Sequence, residues 1–309
     1  MHSLENSDRV PGPPEMTAFR QRLHLHQSRW RESKGHPIGT QPIVPREGAP
    51  SRPVGTRLPL EYARETGANF LTAAALDAAR TRTSFVEPHQ SFDHQRLWAE
   101  LLWSPPMCFN LFGDLAADLE LADRAVHAWW PDTPGTVTDI GFAHSPGRLN
   151  GTYLGNLVDF DVAFGLDRGE GKQGIVGIDT KYHERIEPRE PKPSRVARYV
   201  EVAEKSGVFR PGAIDPFRGR NALLSMWLEH LLVLSMLQHP SGRWTWGRYV
   251  IVYPAGSADF AEACAGYRAL LMDQSTFSSM TIEDLLDAGV LPKPTVAAFQ
   301  ERYIPSRTR

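Results

Sequence analysis

Three ionisable side chains near the middle of the chain have the types and the spacing that metal-assisted hydrolysis requires. Asp161 lies in the run 158–164, and Asp179 and Lys181 lie two residues apart in the run 175–181. Carboxylates are the oxygen ligands that Mg²⁺ prefers in proteins, and a bound cation lowers the pKa of an attacking water. An ammonium group beside them can position that water and offset negative charge in the transition state. The three residues therefore predict a Mg²⁺ or Mn²⁺ site that acts on a phosphate ester.

Both runs have the composition of β-strands, whose successive side chains point to opposite faces. Asp159 and Asp161 therefore share one face of the first strand, opposite an apolar face. Asp179 and Lys181 share one face of the second strand. The segment 167–173 between the strands is short and rich in glycine, which favours an antiparallel hairpin. We expect the two acidic faces to lie side by side.

Hydrophobic periodicity places this hairpin within a longer series of helices and strands. Ser104-Pro105-Pro106 is expected to end the second helix, because proline cannot continue one. The core order of helix, three strands, helix and strand predicts an α/β fold with a mixed central sheet flanked by helices. The predicted elements are helices over residues 60–82, 93–103 and 114–129, strands over 135–143, 157–166 and 174–183, helices over 194–206 and 219–238, a strand over 244–253 and a helix over 257–272.

Two segments carry an excess of basic residues, although the net charge of the chain is only -2. Residues 1–58 are rich in proline and predict an extended arm, and Lys and Arg outnumber Asp and Glu by eight to two over residues 17–60. Over residues 181–220 the ratio is ten to six. Both patches could contact phosphates, and both are equally explained as solvated surface.

Composition excludes several other classes of protein. Cys108 and Cys264 lie far apart and outside any C-x-x-C spacing, which argues against a disulfide framework and a thiolate zinc site. The longest apolar run, 231–237, is too short to span a bilayer, and residues 1–10 lack the hydrophobic stretch of a signal peptide. We therefore expect a cytoplasmic protein without a membrane partner.

Motif searches leave few other enzyme classes. The eleven histidines show no H-E-x-x-H pattern, and no G-x-S-x-G elbow is present. The letters of residues 169–174 fit G-x-G-x-x-G, but they lie between two strands without a following helix to bind a pyrophosphate. Nucleotide binding through this motif is not expected.

Three segments resemble bacterial restriction-endonuclease-like proteins of the PD-(D/E)xK superfamily: residues 92–113 (FDHQRLWAELLWSPPMCFNLFG), Asp159-Phe160-Asp161 and residues 174–184 (GIVGIDTKYHE). The likeness covers roughly residues 90–255. It implies a restriction-endonuclease-like core in αβββαβ order and a metal-dependent nuclease that hydrolyses phosphodiester bonds, with DNA as the expected substrate. The implied division is a basic arm (1–58), a helical lead-in (59–88), the nuclease core (89–255) and a C-terminal helical segment (256–309).

The resemblance also implies a set of site residues. Asp161, Asp179 and Lys181 match the strand aspartate and the D/E-x-K motif, which bind the metal and assist hydrolysis. Glu100 matches a first-helix glutamate by placement, and Asp159 competes with Asp161 as the strand ligand. The chain departs from the pattern in lacking a Pro-Asp pair and in carrying Asp179 where glutamate is more frequent. A homodimer or a defence-system partner is compatible with the resemblance.

Less specific explanations remain for each feature. The strand aspartates could be the solvent face of an edge strand, Asp179 and Lys181 a surface ion pair, and Glu100 a solvated helix residue. His183 and Glu184 extend the third strand and could approach the site or only continue the strand. The main alternative function is a non-catalytic nucleic-acid-binding or complex-forming protein that retains the fold. The sequence does not determine whether the substrate is DNA or RNA, or whether cleavage is endonucleolytic or exonucleolytic.

Overall fold

Eleven α-helices and seven β-strands form from the residues that the computed structural model describes, 17–44, 48, 50–90 and 92–305. The N-terminal part contains α1 (Ala18–Ser33), β1 (Gly39–Gln41), β2 (Arg52–Val54), α2 (Leu60–Thr66), α3 (Ala73–Ser84), α4 (His94–Ala99), α5 (Ser104–Ala117) and α6 (Leu119–Trp129). The remainder contains β3 (Thr136–His144), β4 (Phe160–Asp167), β5 (Gln173–Thr180), α7 (Pro193–Ser206), α8 (Leu224–Leu237), β6 (Trp244–Tyr253), α9 (Ala258–Ala269), β7 (Phe277–Thr281), α10 (Ile282–Asp287) and α11 (Lys293–Tyr303).

A mixed sheet of five strands in the spatial order β3-β4-β5-β6-β7 forms the centre of the fold. The β3-β4 and β4-β5 pairs are antiparallel, and β5-β6 and β6-β7 are parallel. The register pairs Val162 with Ile178 across the β4-β5 hairpin, and Asp179 with Ile251 across β5 and β6. These pairings confirm the predicted hairpin and the predicted α/β fold with a mixed sheet flanked by helices.

Hydrophobic layers cover both faces of this sheet. One layer joins α5, α6, α10 and α11 to side chains such as Phe164 and Val250, and the other joins α7, α8 and α9 to side chains such as Ile175 and Ile251. Every residue of β5 after Gln173 is buried. Because both faces of β5 are buried, side chains on either face have little contact with water. The strand is therefore apolar on both faces except at Asp179 and Thr180.

The expectation of an extended arm over residues 1–58 is wrong for Ala18–Ser33, which form α1. Thr17 caps this helix by accepting a hydrogen bond from the Arg20 backbone N–H. Leu23 and Trp30 are buried in the same hydrophobic layer as α11. Proline flanks this segment but does not occur within it. The proline content averaged over residues 1–58 therefore gave no indication of this helix.

Parts of the predicted arm lie outside the described residues. They include residues 1–16 and 45–47, and with them Pro11, Pro13, Pro14, Pro45 and the basic residue Arg46. The four-part division of the chain stays a prediction.

The prediction around Ser104-Pro105-Pro106 is also wrong in one respect. The helix expected over 93–103 ends at Ala99, and the two prolines occupy the first turn of α5 instead of ending a helix. Proline is tolerated there because the first-turn N–H groups have no partner within the helix. The helix expected from residue 114 therefore begins at Ser104, and it is interrupted at Asp118, which caps α6. None of the described helices combines the length and the apolar composition needed to cross a membrane.

Candidate functional site

The carboxylate of Asp161 is hydrogen-bonded to the end of the neighbouring strand, β5. Asp161 is the second residue of β4, and Val162 pairs with Ile178, so the end of β5 lies directly beside it. Its Oδ2 accepts hydrogen bonds from the backbone N–H of Thr180 at 2.7 Å and from the Thr180 hydroxyl at 2.6 Å. Asp161 is thereby held next to Asp179, as the predicted meeting of the two acidic faces requires.

Asp179 and Lys181 form a buried ion pair. The Lys181 Nζ lies 2.8 Å from Oδ1 and 2.6 Å from Oδ2 of Asp179. Asp179 is only 5 % exposed, and the backbone N–H of Lys181 donates to Val252 of β6 at 2.8 Å. The pair is therefore not the solvent-exposed ion pair that was one explanation of the D-x-K pattern.

A second carboxylate approaches Asp179 from helix α8. The hydroxyl of Tyr249 on β6 lies 2.7 Å from Oε2 of Glu229 and 3.5 Å from Oδ2 of Asp179. Glu229 lies in the helix predicted over residues 219–238 but was not among the predicted site residues. One signal was available, because Glu229 is the only acidic residue in the otherwise apolar run of α8.

Crowding of buried negative charge dominates the electrostatics of the site. Burial, followed by the charge of Asp179, raises the pKa of Asp161 to about 8. The same two causes raise the pKa of Glu229 above its ordinary value. Burial alone would lower the pKa of Lys181, but the three surrounding carboxyl groups raise it above its ordinary value. Lys181 therefore stays charged, and one ammonium faces three acidic groups.

His183 and Glu184 continue from the end of β5 into the same region. Glu184 accepts hydrogen bonds from the backbone N–H of Tyr182 at 2.6 Å and from that of Ser104 at 3.1 Å. Burial alone would raise the pKa of Glu184, but His183, Lys181 and these two bonds hold it below its ordinary value. Glu184 thus connects the start of α5 to the segment that carries Lys181.

The other two predicted ligands have different partners. Glu100 is the residue at the C-terminal end of α4, and its Oε2 lies 2.9 Å from the Arg57 guanidinium. Asp159 precedes β4, and its Oδ2 lies 2.6 Å from the guanidinium of Arg148. Burial raises the pKa of Asp159 in spite of Arg148, and Asp179 adds to this rise. Asp159 is therefore within electrostatic reach of the site, whereas the contacts of Glu100 do not join it to Asp161 or Asp179.

A cavity of about 510 Å³ opens beside the ion pair. The ionisable residues of its wall include Asp179, Lys181, Glu229, Glu184, His183 and Arg20. Arg20 of α1 donates to the backbone carbonyls of His183 and Glu184 at 3.1 and 2.8 Å. A helix from the N-terminal segment therefore shapes the wall of the site.

A family model described as the PD-(D/E)XK nuclease superfamily matches residues 14–305. The chain belongs to this superfamily. Neither the curated proteins nor the solved structures give a match. The match confirms the resemblance and extends it beyond residues 90–255 to both α1 and α11, whose side chains share one buried cluster with the central sheet.

Nucleases of the PD-(D/E)XK superfamily generally use divalent metal ions. The donor types fit, because Asp161, Asp179 and Glu229 offer oxygen atoms to a hard cation, and their crowding raises two of their pKa values. Their arrangement is not that of a formed metal site. In the part of the chain that the structure describes, no three His, Cys, Asp or Glu side chains are grouped to hold a metal ion. Lys181 contacts both oxygens of Asp179 instead.

Proposed function

We propose that the protein is a divalent-metal-dependent nuclease that hydrolyses phosphodiester bonds, with DNA as its substrate. One observation carries the proposal: a buried D-x-K ion pair, Asp179 and Lys181, lies beside Asp161 and Glu229 and opens into a cavity. Membership of a nuclease superfamily gives this cluster its chemical context.

Asp161 and Asp179 are proposed as the residues that hold Mg²⁺ or Mn²⁺, with Glu229 as a third oxygen donor. When bound, the ion would supply charge neutralisation at the phosphate and a more acidic water. Asp161 is preferred to Asp159 as the strand ligand, because Asp159 is paired with the Arg148 guanidinium at 2.6 Å. Glu100, which was predicted as a metal ligand, is not proposed as one, because its carboxylate is paired with Arg57.

Lys181 is proposed to position the attacking water and to offset charge on the phosphate. Its ammonium remains protonated because three carboxyl groups raise its pKa, so it serves as a donor and a cation and not as a general base. Thr180, held by its two hydrogen bonds to Asp161, fixes the backbone between Asp179 and Lys181. The chain thereby places the ammonium and two carboxylates with little freedom of movement.

The test is cleavage of single-stranded, linear and plasmid DNA by the purified protein in Mg²⁺ or Mn²⁺. We expect Asp179→Asn and Lys181→Met each to reduce cleavage by about 100-fold or more. Matched controls lie on the same hairpin: Asp167→Asn and Lys172→Met change the same residue types at exposed positions. The controls should cut at the wild-type rate.

A wild-type protein that cuts nothing in either metal would overturn the proposal and favour the non-catalytic binding protein. Equal cleavage by the Asp179→Asn and wild-type proteins would place the active site elsewhere.

A further inference from the structure

The cavity beside Asp179 has one wall of an unusual kind for a site that handles a charged backbone. Met226 in the first turn of α8 and Leu223 just before this helix line the cavity, and helix α9 contributes Phe260 and Ala263. The connection after β5 adds Ile186. A phosphate group makes no favourable contact with an apolar surface of this extent, whereas a nucleobase has a large apolar face that stacks on such surfaces.

The dimensions of the cavity limit what can enter it. About 510 Å³ is the size of a small-ligand pocket, enough for a nucleotide but far too narrow for a double helix. Asp179 is 5 % exposed, so a phosphate would have to approach an ion held by its carboxylate from within the cavity and not across the protein surface. A strand must therefore leave its duplex, or be unpaired from the start, before its phosphate reaches this residue.

The charges of the wall indicate when such a strand would bind. Four Lys or Arg side chains (Arg20, Lys181, Arg185 and Arg189) line the cavity together with four Asp or Glu side chains (Asp179, Glu184, Glu187 and Glu229). The balance is even, so the cavity does not by itself attract an anion. A divalent cation on the carboxylates would make the wall positive and favour a phosphodiester.

We propose that this cavity binds one unpaired nucleotide of the substrate strand, with its base against the wall formed by α8 and α9. The enzyme accordingly acts on single strands and on frayed or flapped ends, and not on fully paired, closed duplex. This assignment rests on the proposed nuclease function for the chemistry, but the occupant of the cavity can be tested separately.

The experiment measures binding and cleavage on the same set of nucleic acids. Binding is followed by fluorescence anisotropy in Ca²⁺ with a labelled thymidine oligonucleotide and with a labelled duplex closed by a hairpin at both ends. Cleavage is followed in Mg²⁺ and Mn²⁺ on single strands, flapped duplexes and covalently closed plasmid. The key variant is Ala263→Trp, which fills the cavity from α9. Its matched control is Ala261→Trp, on an exposed position of the same helix.

We expect the single strand to bind more tightly than the closed duplex. Ala263→Trp should weaken that binding by about tenfold or more, and Ala261→Trp should not. Equal binding of single strand and closed duplex, or unchanged binding in Ala263→Trp, would overturn the assignment of the cavity.

The two proposals fail in different ways. Selective, Ala263-dependent binding of single strands without any cleavage would support the occupant of the cavity and overturn the nuclease function. Cleavage of closed plasmid as fast as single strands would retain the nuclease function and overturn the unpaired-nucleotide site.

Discussion

The hydroxyl of Tyr249 lies 2.7 Å from the carboxyl group of Glu229, and this contact joins helix α8 to the strand beside Asp179. Tyr249 is fully buried, and it also lies 3.5 Å from Oδ2 of Asp179. A single side chain on β6 therefore sets the position of Glu229 relative to the D-x-K motif.

Tyr249→Phe should reduce both stability and cleavage. Loss of the hydroxyl leaves the Glu229 carboxyl without this partner and lowers the free energy of unfolding by about 1 to 3 kcal/mol. It should also reduce cleavage by roughly tenfold, because an oxygen donor of the site loses its orientation. Urea unfolding and the DNA cleavage assay measure the two effects.

The matched control is Tyr199→Phe in α7, which removes a hydroxyl that accepts a hydrogen bond from Asn156. It should change stability without changing cleavage. If Tyr249→Phe cuts DNA at the rate of this control, Tyr249 does not position Glu229 for catalysis.

The metal-free protein should lose stability as pH rises toward 8. Asp161 holds its proton up to a pKa of about 8 in the folded protein, whereas an unfolded aspartate loses it near 3.8. Between these values the folded state binds more protons, so each increase in pH favours unfolding, by about 1.4 kcal/mol per pH unit for one full proton. Urea unfolding at pH 6 and pH 8 in EDTA measures this slope.

Asp161→Asn should flatten that slope, because the amide oxygen can still accept from Thr180 but carries no titrating proton. The variant should be the more stable protein at pH 8 and the inactive one in the cleavage assay. An unchanged slope would show that Asp161 is already ionised at neutral pH.

At acid pH His24 should contribute to stability in the direction opposite to Asp161. Burial, followed by the charge of His183, lowers the pKa of His24 to about 4, against 6.5 for an ordinary histidine. The unfolded state then binds more protons as pH falls below 6.5, so the contribution of the neutral imidazole to stability is lost between pH 6.5 and 4. At pH 5 the loss is about 2 kcal/mol.

Urea unfolding at pH 7 and pH 5 should show this loss as a difference between the wild-type protein and His24→Gln, because the opposing contribution of Asp161 is present in both. The half-buried His239, which contacts Ser241, provides the control, since His239→Gln should leave the difference between the two pH values unchanged. The same change in stability between pH 7 and pH 5 in the wild-type and His24→Gln proteins would contradict the burial of a neutral His24.

Local sequence information was sufficient for the centre of the fold. The hairpin of β4 and β5 follows from alternation and a short glycine-rich loop, and both signals act between residues close in sequence. For the same reason Asp161, Asp179 and Lys181 could be predicted to lie together, and the structure places them within hydrogen-bond distance of one another or of Thr180.

Contacts between distant segments could not be predicted in this way. Glu229 meets the site only because α8 packs over the sheet, which no pattern within the helix specifies. Helix α1 was hidden by the prolines around it, and its contacts with Tyr182 and Glu184 link residues more than 150 positions apart. Glu100 was predicted as a ligand from its position on the first core helix. Its ion pair with Arg57, which lies in a loop before α2, could not be predicted from that position.

Tyr182, the residue after Lys181, should hold the segment that carries Lys181 in place through its contacts with α1 and α11. Its hydroxyl accepts from Gln27 of α1 at 2.9 Å and donates to the backbone carbonyl of Tyr303 in α11 at 3.2 Å. Tyr182→Phe removes both bonds and should lower the free energy of unfolding by about 1 to 2 kcal/mol. It should also reduce cleavage by roughly tenfold, because Lys181 depends on its neighbour for its position.

Tyr303→Phe is the control for this effect, because it removes a buried hydroxyl that accepts from Asn110 at 2.8 Å, within the same aromatic contact. The two variants should be similarly destabilised in urea, but Tyr303→Phe should retain wild-type cleavage at a temperature where both are folded. Equal loss of cleavage in the two variants would mean that general loosening of the core, and not the position of Lys181, is responsible. Full cleavage in both would show that α1 and α11 stabilise the fold without positioning the site.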